Sequence, residues 1–109
     1  MITWDDFEKI DMRIGSIIEV TDFEKAKKPA YKLKIDFGAE GIKNSSAQIT
    51  ALYSKEELLG KQIIAVINFL PKQIANFISE CLVLGVYNED NNVVLLHAER
   101  KTGNGRKVG

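Results

Sequence analysis

The chain of 109 residues is poor in several residue types, and each scarcity narrows the range of functions. The single cysteine, Cys81, has no partner in the chain for a disulfide, which suits a reducing compartment. One cysteine and one histidine, His97, do not supply the three or four ligands of a structural zinc site. No run of about 18 apolar residues occurs, as a membrane-spanning helix would require. The 15 basic and 15 acidic side chains cancel, which argues against binding of nucleic acid or membranes through bulk positive charge.

Signatures of catalysis are also missing. The sequence contains neither a Gly-x-x-x-x-Gly-Lys loop nor a Gly-x-Gly-x-x-Gly loop for phosphates. Cys81 lies in the apolar run 81–84, so we expect a buried thiol rather than a nucleophile paired with His97. We therefore expect a binding protein without catalytic residues, cofactor or metal. The N-terminus begins with acidic residues and lacks the basic-then-apolar layout of a signal peptide, so a cytoplasmic location is expected.

The charges that are present are unevenly distributed. Residues 1–24 contain seven acidic and two basic side chains, whereas residues 25–34 contain five lysines and no acid. A second basic cluster lies at residues 100–107. Patches of this kind can steer an anionic partner, but lysines also commonly solvate loops and strand edges.

Hydrophobic periodicity and capping signals predict a mostly β protein. Capping boxes at Thr3 and Ser54 predict two short helices. Strict alternation makes 31–37 the clearest strand, and Gly15 indicates a bulge in the strand before it. Asn104-Gly105 is typical of a type I′ turn. The strands are predicted over 12–20, 31–37, 42–50, 62–69, 81–84 and 93–96.

The order of these elements predicts the fold class. Three strands, a short helix and further strands is the order of an OB-fold, a five-stranded barrel whose helix lies between the third and fourth strands. We therefore predict an all-β OB-fold barrel with an additional short N-terminal helix. No repeat, linker or low-complexity segment interrupts the chain, so residues 1–109 are expected to form a single domain.

Two segments are candidates for ligand binding. OB barrels commonly hold ligands on the face of the second and third strands and on the flanking loops. That surface would carry Lys32, Lys34, Lys43, Ser45, Ser46 and Gln48. These groups suit phosphates, base edges or the backbone of an extended peptide, although a solvated edge strand would have the same composition.

The second candidate segment, residues 68–80, leaves a buried strand and turns at Pro71. We predict residues 72–80 to be an irregular or short helical connection. It carries Lys72 and Gln73 beside three apolar residues, Ile74, Phe77 and Ile78. The apolar residues either cap the barrel end or line a surface pocket, and the pattern alone leaves both interpretations open.

Six segments resemble the CsaA-type bacterial secretion chaperones, and together they cover nearly the whole chain in order. They are DMRIGSI (11–17), KLKIDFG (32–38), GIKNSSAQIT (41–50), IAVINFLP (64–71), SECLVLG (79–85) and NGRKVG (104–109). The piece SSAQIT is the most specific. The wider group is the tRNA-binding OB module, found free-standing and appended to some aminoacyl-tRNA synthetases.

The resemblance implies a cytoplasmic OB-fold homodimer whose N-terminal helix and terminal segments help to form the subunit interface. It also implies a chaperone, acting without a nucleotide or metal, that holds unfolded or export-bound preproteins and has links to the export machinery. Ile74, Phe77 and Ile78 are then the candidate peptide-binding residues. The alternatives are a tRNA-binding module that recognises shape and phosphates, and an interaction subunit whose partner the sequence does not name.

The tRNA-module pattern can be carried over residue by residue. It falls on Ser46, Asn68, Lys72, Gln73, Ser79 and Glu80, and Lys43 and Gln48 join them as candidates on the third strand. Two positions depart from the pattern: neutral Gln73 stands where a second basic residue is common, and Asn76 replaces a glycine. Loss of one phosphate contact predicts weaker RNA binding, with a log-log salt slope smaller by roughly one.

Overall fold

The computed structural model describes residues 1–109, arranged as nine strands and two short helices. The elements are α1 (Trp4–Glu8), β1 (Met12–Asp22), β2 (Tyr31–Asp36), a 3-10 turn (Gly38–Glu40), β3 (Ile42–Ala47), α2 (Lys55–Leu58), β4 (Gln62–Val66), β5 (Lys72–Ile74), β6 (Phe77–Ser79), β7 (Leu82–Val83), β8 (Gly85–Tyr87) and β9 (Val93–Leu95). Neither helix is long and apolar enough to cross a membrane.

Five of the strands form one antiparallel sheet in the order β3-β2-β1-β4-β7. The sheet curls into a nearly closed barrel with α2 between β3 and β4, which confirms the predicted OB-fold. The barrel encloses a core cluster of 12 buried residues, among them Ile17, Leu33, Phe37 and Ile63. β5 with β6 and β8 with β9 form two separate hairpins.

Both predicted capping boxes are present. The Thr3 hydroxyl accepts a hydrogen bond from the Asp6 amide, and the Asp6 carboxylate accepts one from the Thr3 amide. Ser54 and Glu57 make the same reciprocal pair at the start of α2. Helices this short have little intrinsic stability, so capping hydrogen bonds and contacts with the rest of the protein stabilise them.

The predicted alternation of β1 holds only in its first half. Ile14 is buried as expected, but Ile17 is buried and Ile18 is exposed. The pairing register with β2 shifts between Ile17 and Glu19, so the bulge lies at Ile18 and not at Gly15. Gly15 instead leaves room for the core side chains. A Cβ there would lie 2.6 Å from side-chain atoms of both Ile35 and Phe37.

Three further predictions need correction. β3 ends at Ala47 rather than residue 50, and β4 ends at Val66 rather than residue 69. Residues 72–80 are not helical or irregular, because β5 and β6 pair as a hairpin. Its turn includes Ala75 with φ of 52°, a conformation that alanine rarely adopts.

The turn at Asn104-Gly105 also differs from the prediction. Of the two central residues of the turn, only Gly105 has positive φ, which is typical of a type II rather than a type I′ turn. The segment after it does not form a hairpin; it lies along β1, with an isolated bridge between Arg13 and Lys107. The amide of Ile14 donates to the Arg106 carbonyl, and the amide of Val108 donates to the Met12 carbonyl. The chain terminus is thereby anchored beside α1.

Candidate ligand-binding grooves

The barrel is closed where β3 meets residues 79–81, and the side chains of two predicted site residues take part in the closure. The Asn44 amide donates to the Glu80 carboxylate at 2.9 Å, and the Glu80 amide donates to the Asn44 carbonyl at 2.8 Å. The Ser46 amide donates to the Ser79 hydroxyl at 3.4 Å. The side chains of Ser79 and Glu80 therefore satisfy backbone groups that a regular strand ladder would otherwise pair.

Asn68 also makes a structural connection. Its side-chain amide donates to the Lys9 carbonyl at 2.8 Å, and its side-chain oxygen accepts from the Asp11 amide at 3.0 Å. One side chain thus joins the end of β4 to the segment between α1 and β1. Both polar ends of the Asn68 side chain are engaged in these contacts.

The β5–β6 hairpin separates the remaining candidates by face. Cross-strand partners share a face, and the pairs are Lys72 with Ser79, Gln73 with Ile78, and Ile74 with Phe77. Because Ser79 contacts β3, the face with Lys72, Ile74 and Phe77 turns toward the barrel. Gln73 and Ile78 occupy the outer face, and the Gln73 amide donates to the Ala75 carbonyl within the hairpin.

An aromatic and cationic cluster fixes this hairpin to the loop between β1 and β2. The rings of Phe23 and Phe77 meet edge to face with centroids 5.4 Å apart. The ammonium of Lys32 lies 5.2 Å from the Phe23 centroid and 5.6 Å from that of Phe77. Phe23 is buried, so the three side chains hold loop and hairpin together across the face of β2.

Between the β1–β2 loop and the hairpin lies a groove of about 390 Å³, called here the first groove. Lys25, Lys27 and Lys28 of the loop line one side of it. Ser46 and Gln48 provide a hydroxyl and an amide between the walls. The complete lining is Phe23, Lys25, Ala26, Lys27, Lys28, Ala30, Ser46, Gln48, Ile74 and Ala75, without an acidic side chain.

A second groove of about 310 Å³ lies on the other side of Ile74. It is the more apolar of the two in character, since Phe69 is 57% exposed and Leu70 is 90% exposed beside the half-exposed Leu82. Its complete lining is Ser46, Phe69, Leu70, Lys72, Ile74, Ser79, Glu80, Cys81 and Leu82. Ser46 and Ile74 line both grooves, so the two are neighbours across these residues.

The two-residue period of β3 separates the candidates on that strand. Ser46 lies on the outer face, and Gln48 follows just beyond the strand end. Lys43 is on the opposite face and lines neither groove. Ser45 is on the same face as Lys43 and is fully buried, where its hydroxyl donates to the Cys81 carbonyl at 2.9 Å. The expectation that Ser45 faces a groove was therefore wrong, because alternation turns it toward the core.

Cys81 and His97 do not form a catalytic pair. Burial raises the pKa of the Cys81 thiol to about 11, so the reactive thiolate is scarce at neutral pH. Its Sγ lies 3.7 Å from the Asn44 carbonyl oxygen. His97 is exposed and lines a different, shallow groove with residues 60–62 and 98–101.

Sequence reasoning missed several lining residues. It did not select the loop lysines of the first groove, although the acid-free run 25–34 was a signal for them. It included Phe69 and Leu70 in the candidate segment 68–80 but did not select them as binding residues. Their exposure could not be recognised, because the apolar run appeared to continue the buried strand until the proline.

Comparisons with known proteins place this barrel in a family. The family model described as "Putative tRNA binding domain" matches residues 12–107. The methionine–tRNA ligase of Methanococcoides burtonii is 34% identical over 96% of this chain, and that of Pyrococcus horikoshii is 36% identical over 98%. The chain spans only 15% and 14% of the length of these two ligases. The protein belongs to the tRNA-binding domain family.

Solved structures narrow the resemblance. The CsaA chaperone protein of Picrophilus torridus is 60% identical over the full length of both chains, with a TM-score of 0.94. The chaperone CsaA of Bacillus anthracis is 48% identical, also with a TM-score of 0.94, over 100% of this chain and 99% of that one. The chain is thus a CsaA-like member of the family. Both of these full-length matches are chaperones, which confirms the expectation of a protein that is not an enzyme.

Proposed function

We propose that this protein is a homodimeric, ATP-independent chaperone of the cytoplasm that binds unfolded or export-bound polypeptides. The observation that carries the proposal is the exposed apolar lining of the second groove. Leu70 is 90% exposed and Phe69 is 57% exposed, and both lie next to the partly buried Ile74. Exposed apolar side chains in a concave site are unfavourable in water and are suited to cover an apolar segment of another chain.

Polar groups beside this apolar surface fit the backbone of an extended peptide. The Ser46 hydroxyl and the Lys72 ammonium border the second groove and make no ion pair or side-chain hydrogen bond within the chain. They can bind peptide carbonyl groups while the apolar lining accommodates side chains. Ile74 belongs to this site. Phe77 does not line the groove; it supports the hairpin by packing against Phe23 and Lys32. Ile78 lies on the outer face of the hairpin.

A second apolar surface supports the proposed homodimer. Trp4 is 86% exposed and Ile2 is 73% exposed, and both line a groove with Phe7 and Gly109. Two contacts hold α1 against the barrel. Asn68 binds the segment that follows the helix, and Lys107 pairs with Glu8 at 3.8 Å. Burial of a tryptophan and an isoleucine against a second copy would stabilise association by a few kcal/mol. Two copies would also present two peptide grooves, so that avidity raises the affinity for a long client.

The dimer is tested by light scattering during size-exclusion chromatography. The wild-type protein should have twice the chain mass of 12.2 kDa, and Trp4→Glu should shift it to the chain mass. Tyr87→Glu is the control, since Tyr87 is another exposed aromatic residue outside the Trp4 groove. A dimeric Trp4→Glu variant would contradict this interface.

The peptide site is tested with reduced, carboxymethylated α-lactalbumin, a permanently unfolded polypeptide. Leu70→Asp should lower its affinity about tenfold without loss of stability, because Leu70 packs little in the folded chain. Leu59→Asp is the matched control, since Leu59 is 58% exposed and lines neither groove. Equal affinity for the two variants would exclude the second groove as the peptide site. No binding by the wild-type protein would contradict the chaperone function itself.

Binding of tRNA is a second candidate function. It is supported by the match of residues 12–107 to the tRNA-binding domain family. Of the predicted RNA contacts, Ser46, Gln48 and Lys72 have side chains at the grooves that are free to bind. Asn68, Ser79 and Glu80 are engaged in hydrogen bonds within the chain, and Lys43 and Gln73 lie outside the grooves.

The test of this second function is an anisotropy titration with labelled bulk tRNA in a salt series. Binding through phosphates should weaken steeply as salt increases, with a slope proportional to the number of contacts. Absence of binding at about 0.05 M salt, where such contacts are strongest, would contradict it.

A further inference from the structure

The three lysines in the first groove are exposed and unpaired. Six ion pairs occur in the protein, and none includes Lys25, Lys27 or Lys28. Lys34 and Lys55, on neighbouring elements, do pair with acids, at 4.0 Å from Glu19 and 2.9 Å from Asp22. The amines of the loop are therefore available for a ligand.

The loop that carries these lysines is anchored at both ends. The amide of Phe23 donates to the Ala30 carbonyl at 3.1 Å, and the amide of Ala26 donates to the Phe23 carbonyl at 3.2 Å. Phe23 is only 4% exposed and packs against Phe77 of the hairpin. A loop held this way loses less conformational freedom on binding than a free basic tail would.

The chemistry of the first groove favours a polymeric anion that carries regularly spaced negative charges. Three amines lie within four consecutive positions, Ser46 and Gln48 add hydrogen-bonding groups, and no acid lines the groove. The second groove differs, since Glu80 lines it. A phosphodiester backbone carries a charge at every nucleotide and suits such a row of lysines.

The aromatic residues of this region do not offer a platform for bases. Phe23 is buried, and the Lys32 ammonium lies over both its ring and that of Phe77. The Lys32 ammonium competes with a base for the ring faces that it covers. Recognition in this groove would therefore depend on phosphates and sugars and would be independent of base identity.

We propose that the first groove binds the phosphodiester backbone of an RNA strand through Lys25, Lys27 and Lys28, and that RNA there excludes polypeptide from the second groove. The exclusion follows from the shared lining, since a chain in either groove covers Ser46 and Ile74. This inference rests on the proposed chaperone and tRNA-binding functions. It adds the location of the RNA strand and the competition between the two ligands.

The charge contribution is tested with matched double substitutions. Lys27→Gln with Lys28→Gln removes two exposed, unpaired charges from the first groove, and Lys101→Gln with Arg106→Gln removes two exposed charges, also without an ion pair, outside that groove. With labelled bulk tRNA, the first variant should bind about tenfold more weakly at 0.05 M salt, with a log-log salt slope lower by about 1.5. The control should stay within about twofold of the wild-type protein, and both variants should bind carboxymethylated α-lactalbumin as the wild-type protein does.

The competition is tested with the wild-type protein. Unlabelled tRNA should displace labelled carboxymethylated α-lactalbumin, and the displacement should need about tenfold more tRNA with the Lys27 and Lys28 variant. Oligouridine and oligoadenine of equal length should compete equally, because no base is read.

Each contrary result overturns a defined part of this inference. Equal loss of tRNA affinity in the two double variants would place the RNA elsewhere. Simultaneous binding of tRNA and α-lactalbumin would remove the exclusion. Displacement of tRNA by poly-glutamate at the same charge concentration would identify the groove as a site for acidic polypeptides. If tRNA does not bind at all, the inference fails while the chaperone function, tested by α-lactalbumin alone, stands.

Discussion

The carboxylate of Glu80 takes the place of a backbone carbonyl opposite Asn44. It accepts the Asn44 amide at 2.9 Å, while the amide of Glu80 donates to the Asn44 carbonyl at 2.8 Å. The pair connects β3 to the residue that follows β6, 36 positions further along the chain, where no regular ladder joins the two segments. A residue that matches the tRNA-module pattern thus has a structural contact that is independent of any ligand.

Removal of this carboxylate is expected to destabilise the barrel. Glu80→Ala leaves the half-buried Asn44 amide without its acceptor, so the free energy of unfolding should fall by about 1–3 kcal/mol. Glu80→Gln retains a carbonyl oxygen and should recover most of that loss. The measurement is urea denaturation monitored by circular dichroism. Equal losses for the two variants would show that the hydrogen bond is not the source of stability.

Gly15 is expected to tolerate no side chain. A Cβ would lie 2.6 Å from Ile35 Cγ2 and from Phe37 Cε1, both in the core, so Gly15→Ala should cost about 2–3 kcal/mol of stability. Gly103→Ala is the control, because the nearest atom to a Cβ there is 3.7 Å away, and it should change stability by less than about 0.5 kcal/mol. Thermal unfolding of the two variants makes the comparison. A Gly15→Ala protein as stable as the control would mean that the core can relax.

The hydrogen bonds of Asn68 should hold the N-terminal helix α1 in place against the barrel. Asn68→Ala removes the contacts to Lys9 and Asp11, and the expected cost is about 1–3 kcal/mol. Trp4 is the only tryptophan and lies in α1, so its fluorescence anisotropy should fall as the helix becomes mobile.

The control for this prediction is Asn76→Ala, at an exposed position in the β5–β6 turn. Its stability and Trp4 anisotropy should match those of the wild-type protein. If Asn68→Ala also leaves both unchanged, the helix is held by other contacts, such as the ion pair between Lys107 and Glu8.

The thiol of Cys81 should be inert in the folded protein. Burial raises its pKa from 9.0 to about 11, so alkylation by iodoacetamide at pH 8 should be far slower than in urea. The double variant Gln73→Cys with Cys81→Ala places the thiol at an exposed position and should react at the rate of a free cysteine. Rapid alkylation of folded wild-type protein would contradict the burial.

The same pKa shift predicts the direction of one pH effect. The unfolded thiol loses its proton near pH 9, whereas the folded thiol keeps it to about pH 11. The contribution of Cys81 to stability should therefore be complete below pH 9 and decrease as the pH rises from 9 to about 11. Comparison of wild type with Cys81→Ala over this range isolates the effect. A constant difference between the two proteins would contradict it.

Local patterns in the sequence were sufficient for the parts of the fold that depend on neighbouring residues. The capping boxes at Thr3 and Ser54 formed as expected, because they join residues three positions apart. The strict alternation of β2 placed Leu33 and Ile35 in the core and Lys34 in solvent. The order of these elements was enough to predict the OB-fold.

Long-range contacts decided the rest. The bulge at Ile18 arises from the register between β1 and β2, and the burial of Ser45 depends on Cys81 across the barrel closure. Short-range periodicity contains no information about either relationship. The loop lysines were visible in the sequence as an acid-free run, but only the cluster of Phe23, Lys32 and Phe77 brings their loop to the hairpin. The sequence alone therefore determined the elements and their charges, and the tertiary structure decided which of them face one another across a groove, because packing between distant segments sets those positions.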